Sequence, residues 1–231
     1  MKAGLLICDH IVLEWQAEFG DYPAMFAKLF PSFKWQLYNA VEGVLPADIN
    51  ECDFYMSTGS KYSVYQNLAW LAPLKAFIQE LYVVQKPFIG FCFGHQLLGE
   101  ALGGKVEKAG HGWCVGVHKF EIVQSQSWMN PPQSSLNLLM MCQDQITQLP
   151  PKTKLLASSQ NCPNGVIQIG ETMLGIQAHP EFPKRYNQRL METRVNKMGL
   201  EKVEEGIQSL QMDIHPDLIQ SWVVSFLNRA V

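Results

Sequence analysis

The stretch KPFIGFCFGHQLLGEALGG (86–104) leaves this chain few ways to fold. Its first part, KPFIGFC (86–92), reads as a strand. Its second part sets His95, Leu97, Leu98, Ala101 and Leu102 at helical spacing. Between the two lies Gly90-Phe91-Cys92-Phe93-Gly94, a cysteine with a glycine two residues to either side. A strand that turns directly into a helix needs small residues there, because nothing bulky fits inside so sharp a bend. The bend projects the central side chain above the strand ends.

The rest of the N-terminal half repeats this alternation. AGLLIC (3–8) is a short apolar run, GDYPAMFAKLF (20–30) reads as a helix, and FKWQLYNA (33–40) alternates like a strand. CDFYMSTG (52–59) is an apolar run ending in a Ser-Thr-Gly loop, and residues 67–84 read as an amphipathic helix. Strands alternating with helices predict a parallel sheet covered on both faces. From Trp113 to Gly175 the style changes: GVHKFEIV, LNLLMM, KLLASS, GVIQIG and TMLGIQA follow one another with no clear helix between them. That pattern predicts an antiparallel extension of the sheet. Helix returns over 183–209 and 215–229. With no repeat, low-complexity tract or linker, residues 1–231 read as a single domain.

Composition excludes several classes. The chain has 231 residues and 47% hydrophobic content, enough to bury a core without disulfide or metal staples. A formal charge of −3 argues against a nucleic-acid partner. None of the cysteines forms a CxxC pair, so no zinc ribbon or thioredoxin motif is present. His111 and Cys114 in GHGWC are a weak metal motif, and the expectation is that no metal and no cofactor is bound. No apolar run approaches the length of about 18 residues needed to span a membrane, and the N-terminus lacks a signal pattern. The expectation is a cytoplasmic protein with no membrane association. The aromatic stretch from Phe77 to Phe93 reads as core, and the acidic cluster Glu201–Glu205 as a solvated helix face.

The bend around Cys92 has chemical consequences. A helix starting beneath the sulfur favours the thiolate, the reactive form. The N–H of Phe93 is free to face a developing oxyanion, a donor worth about 3 kcal/mol in a transition state. A cysteine nucleophile needs a base, and the base a partner that sets its tautomer. His179 ends the run TMLGIQA and is followed by Pro180 and Glu181. In extended chain, residues i and i+2 share a face, so Glu181 can accept from one ring nitrogen while the other faces the thiol. Taken alone, His-Pro-Glu would be a surface turn; at a strand end on the same sheet edge as Cys92 it is a candidate site. His95 is expected to point along the new helix, away from the sulfur. The loop Ser57-Thr58-Gly59-Ser60 is either a plain turn or the source of a second oxyanion donor, the Gly59 N–H.

Together these segments resemble the class I glutamine amidotransferases. GFCFGHQ is similar to the family's G-x-C-x-G-x-Q bend, GIQAHPEF to its G-x-Q-x-H-P-E block, and STGSKYSVY to its S-G-(S/G)-P-x-S-V loop. GDYPAMF, FGHQLLGEALGGKV and LPPKTKLLASSQNCPNG resemble the stand-alone, GMP-synthase-like members in particular. The resemblance implies a flavodoxin-like three-layer α/β/α sandwich, with a mostly parallel central sheet and a small antiparallel extension. It implies a triad of Cys92, His179 and Glu181, an oxyanion hole from Gly59 and Phe93, and substrate contacts at Gln96 and Ser60. The implied reaction is hydrolysis of the glutamine side-chain amide through a cysteinyl thioester. The resemblance implies an unidentified acceptor for the ammonia and, with no synthetase domain read in these residues, a separate synthetase subunit as its partner.

Two departures stand out. Lys61 replaces the loop proline, and Met141-Cys142-Gln143-Asp144-Gln145 stands where the family often has Ser-His-x-Asp. Plant γ-glutamyl peptidases look similar in the same segments. A γ-glutamyl compound is therefore the alternative substrate, and a non-catalytic regulatory module is the alternative of another class.

Overall fold

The computed structural model describes residues 1–230. The first half runs β1 (Lys2–Leu6), α1 (Leu13–Phe19), α2 (Tyr22–Leu29), β2 (Lys34–Tyr38), β3 (Phe54–Ser57), α3 (Leu71–Val83), β4 (Phe88–Phe91) and α4 (Phe93–Ala101). Then come β5 (Lys105–Lys108), β6 (Cys114–Ile122), β7 (Ser135–Cys142), β8 (Asp144–Gln148), β9 (Thr153–Ser159), β10 (Cys162–Ile169) and β11 (Met173–Ile176). Four helices finish the chain: α5 (Lys184–Glu192), α6 (Val195–Met198), α7 (Leu200–Ser209) and α8 (Pro216–Ala230).

Nine strands form one sheet in the order β2-β1-β3-β4-β11-β10-β9-β6-β7. β2, β1, β3, β4 and β11 run parallel. From β11 outward, β10, β9, β6 and β7 alternate in direction, the extension expected from the strand-rich middle of the chain. This extension bends back toward the parallel part. Just beyond β11, the N–H of His179 donates to the Leu139 carbonyl of β7 at 2.8 Å. β5 and β8 pair separately as a small antiparallel ribbon.

Side-chain alternation along the parallel strands divides the core in two. Leu5, Phe54, Met56, Ile89, Phe91, Leu174 and Ile176 face one side, with Phe26 and Phe30 around α2 and Trp222 and Phe226 of α8. Leu6, Tyr55, Phe88 and Met173 face the other, under Leu74, Ile78 and Leu81 of α3 and Leu97 and Leu98 of α4. Helices thus cover both faces, giving the three layers expected. The local signals are plain. Asp21 caps α2, its carboxylate accepting from the Tyr22 N–H at 2.8 Å, and Pro23 lies in the first turn. In α3 the buried positions 71, 74, 77, 78 and 81 follow helical spacing.

Three elements differ from the sequence reading. α1 buries none of its residues fully; only Trp15 and Phe19, half-buried, pack on the core, a stripe too narrow to reveal it. The β5–β8 ribbon is short, and β5 buries Val106 alone. The helix expected over 183–209 is three helices, broken at Arg194 and again at Gly199, whose φ of +87° no long helix tolerates.

Phe26 tests the packing of α2 on the sheet. It is fully buried and meets Phe91 edge to face, with ring centroids 5.3 Å apart. Phe26→Ala should lower unfolding stability by about 3–5 kcal/mol in urea titration; a loss below about 1 kcal/mol would contradict this packing.

Candidate active site

Cys92 sits where β4 gives way to α4, at φ 47° and ψ −97°. Positive φ strains an L-residue by about 1–3 kcal/mol, so the surroundings must hold it there. They do so by hydrogen bonding and by lack of side chains. The Cys92 N–H donates to the Ile176 carbonyl of β11 at 2.8 Å. A Cβ on Gly90 would run into the Gly94 carbonyl, and one on Gly94 into Ser57 Oγ. Both glycines therefore serve the close passage of strand and helix that the sequence pattern implied.

β11 delivers the histidine. It lies parallel beside β4, with Gly175 opposite Gly90 and Ile176 opposite Phe91, so both strands leave the sheet at one edge. His179 follows three residues beyond Ile176 and is buried. Its Nδ1 is 2.7 Å from Glu181 Oε1. Its ring lies flat against Phe182, centroids 3.9 Å apart and planes 7° from parallel. Burial disfavours a charged imidazole here. The nearby Cys92 sulfur and the Glu181 carboxylate outweigh it and raise His179 to about 10. The second oxygen of Glu181 is buried without a hydrogen-bond partner among the described residues. The whole carboxylate is thus committed to the histidine.

The loop after β3 packs against the Cε1 edge of the ring. A Cβ on Gly59 would come 2.7 Å from His179 Cε1, so a glycine is required for the imidazole to sit where it does. This role was not visible in the sequence. The loop is tied to the chain after β1. Thr58 Oγ1 accepts from the Cys8 N–H at 2.9 Å, and the Ser60 hydroxyl donates to the Cys8 carbonyl at 2.9 Å. Asp9 accepts from the Lys61 backbone N–H at 2.9 Å and from its ammonium at 3.0 Å. Lys61, which stands in place of a proline, anchors the loop by ion pair and hydrogen bond. The N–H groups of Gly59 and Phe93 donate to no protein acceptor among the described residues.

A cavity of about 550 Å³ opens over Cys92 and Gln96. Gln96 donates its amide to the Asp144 carbonyl at 2.7 Å and to Gln177 Oε1 at 3.2 Å, which fixes the side chain. Ser60 also lines the cavity, though its hydroxyl proton is already given to Cys8. Met141, Cys142, Gln143 and Asp144, the segment that departs from the resembled pattern, form part of the wall. So do Lys108, Trp113, Arg194 and Lys197, which no sequence motif groups together. A smaller cavity of about 260 Å³ lies along His179, Phe182 and Tyr186, and shares Ser60, Lys61, Met141 and Arg194 with the first.

The other residues singled out lie elsewhere or serve the core. His95 is fully buried against Gly175, where burial lowers it to about 4 and keeps it neutral. His10 pairs with Asp21 at 2.6 Å, and His215 accepts from the Asn137 N–H at 2.8 Å. His111 does meet Cys114, at 3.3 Å. The neighbouring Cys142 thiol across the strand pair, and His111, lower the Cys114 thiol. Among the described residues, no group of three or more His, Cys, Asp or Glu side chains is placed to hold a metal. No helix among them is long and apolar enough to cross a membrane.

Comparison with known proteins agrees with this geometry. Residues 63–198 match the family model described as Glutamine amidotransferase class-I. Gamma-glutamyl peptidase 3 of Arabidopsis thaliana is 26% identical over 212 residues, covering 87% of this chain and 85% of that protein. GMP synthase [glutamine-hydrolyzing] of Porphyromonas gingivalis is 26% identical over 205 residues, 81% of this chain but 40% of the synthase. The crystal structure of a glutamine amidotransferase from Thermotoga maritima superposes with a TM-score of 0.75 at 19% identity, covering 99% of this chain and 97% of that one. The chain belongs to the class I glutamine amidotransferase family.

The coupling of His179 to the sulfur can be measured. Titration of the imidazole by nitrogen NMR should give a midpoint near 10 in the intact protein. In Cys92→Ala the midpoint should fall, because the negative partner is gone. An unchanged midpoint would show that the two groups do not interact.

Proposed function

We propose that this chain hydrolyses the side-chain amide of glutamine, or the equivalent γ-glutamyl amide bond, through a thioester on Cys92. The observation that carries the reading is the buried Glu181–His179 hydrogen bond of 2.7 Å, with its raised imidazole beside the Cys92 sulfur. The sulfur attacks the amide carbon as a thiolate, with the proton held on His179. The tetrahedral oxyanion is received by the unengaged N–H groups of Phe93 and Gly59, a contribution of about 3 kcal/mol for each well-placed donor. His179 gives its proton to the departing amine, and the C–N bond breaks. It then takes a proton from water, which attacks the thioester and releases glutamate. Glu181 holds the ring in the required tautomer throughout. Gln96 and Ser60 border the bound glutamyl group. The chemistry calls on no metal or cofactor.

As a glutamine amidotransferase, the protein would pass ammonia to an acceptor site on a separate synthetase subunit, with residues 1–231 working as one domain. A second reading, γ-glutamyl peptide cleavage, is favoured by the width of the cavity, which extends well past Cys92 and Gln96 to Trp113 and Lys197.

Incubation with a glutamine-like diazo-ketone, followed by peptide mapping, tests the site. Labelling is expected at Cys92 and should be slowed by glutamine. Cys92→Ala should abolish amide hydrolysis, and His179→Ala should lower kcat by at least about a thousandfold. Labelling at another cysteine, or residual turnover in Cys92→Ala, would contradict the assignment.

On the alkaline side, activity should fall as His179 loses the proton it gives to the leaving amine, with a midpoint near 10 in a pH profile of kcat/KM, which reports the free enzyme. A rate that keeps rising through that range would remove His179 as the acid.

A further inference from the structure

We infer that Lys108, Arg194 and Lys197 form a subsite for an anionic leaving group, so that this cavity takes γ-glutamyl amides whose departing amine carries its own carboxylate. The inference rests on the hydrolase reading above and narrows its substrate.

The charge around the cavity is one-sided. Lys61, Lys108, Arg194 and Lys197 line it, against a single acid, Asp144. Lys61 is already neutralised by Asp9 at 3.0 Å. The other three cations make no ion pair with any acidic side chain among the described residues. Asp144 lies across the ribbon from Lys108 in the β5–β8 register, but forms no ion pair with it; its carboxylate accepts from the Tyr65 hydroxyl at 3.1 Å. Three uncompensated positive charges facing one concave space repel each other and raise the local concentration of anions.

They also come from separate parts of the fold. Lys108 is the last residue of β5, Arg194 precedes α6, and Lys197 lies within it. The break between α5 and α6, which a continuous helix would not have, is what brings Arg194 to the cavity wall.

Glutamine itself gives these cations little to do on the leaving side, because ammonia carries no anion. A γ-glutamyl dipeptide does. Its γ-carbonyl carbon is attacked by Cys92, the C–N bond breaks, and the amine leaves with the proton from His179 and its carboxylate among the cations. The thioester and its hydrolysis are unchanged. Trp113 and Met141 offer apolar contact for the side chain of the departing amino acid.

The test compares three substrates: γ-glutamylglycine, γ-glutamyl methylamide and glutamine. The wild-type chain should prefer γ-glutamylglycine to the methylamide, which lacks only the carboxylate, by about tenfold or more in kcat/KM. In the triple variant Lys108→Gln, Arg194→Gln, Lys197→Gln this preference should collapse toward unity, and in the wild type it should shrink as salt is raised. A parallel fall for all three substrates would overturn the inference, by assigning the cations to the carboxylate of the glutamyl end. An unchanged preference would overturn it too, and would leave the cations to an acidic surface on a partner protein. If the wild type cleaves none of the three, the hydrolase reading itself fails, an outcome distinct from cleavage without preference.

Discussion

The site depends on one buried hydrogen bond, 2.7 Å between the His179 imidazole and the Glu181 carboxylate, at the sheet edge where Cys92 also stands. Neither the sulfur nor the imidazole would stay there unaided. The sulfur stands on a residue with positive φ, and the imidazole is buried where its charged form is disfavoured. The buried imidazolium is tolerated because an anion lies beside it. Glu181 adds the second negative charge and, with one oxygen otherwise unpartnered, has no competing bond to give up.

The sheet makes this arrangement possible. Two parallel strands in register, β4 and β11, end at the same edge, so residues far apart in the chain leave it side by side. The bend at Cys92 then needs empty space, supplied by Gly90 and Gly94, and the imidazole needs empty space at Gly59. Three glycines from two segments are thus required for the same few atoms to meet. Phe182 completes the enclosure by stacking on the ring's face. The loop that carries Gly59 is held by Cys8, Asp9 and Lys61, so the end of β1 also supports the site.

Much of this was legible in the sequence, for physical reasons. The bend is written in a local pattern of glycines around a cysteine, and the strand-end histidine with its carboxylate two residues on is equally local. The strand-helix alternation and the change to strand-only runs gave the sheet and its extension. What was not legible depends on contact at a distance. The fit of Gly59 to an imidazole 120 positions away leaves no local trace, and Lys108, Arg194 and Lys197 carry no shared motif. Lys61 reads as the loss of a stiff proline, and only the fold shows the same loop anchored through Asp9. α1 was missed because it is short and packs only Trp15 and Phe19, half-buried, on the core, so its apolar rhythm is weak.

The central claim is that the acyl group of the substrate passes onto Cys92. Acid-quenching a γ-glutamyl substrate with excess enzyme within the first turnovers, followed by mass analysis of the peptide containing residue 92, tests it directly. The account predicts a transient glutamyl adduct on that cysteine, which builds and decays within the turnover time. Product formed with no adduct at any time point, or an adduct on Cys114 or Cys142 instead, would contradict it.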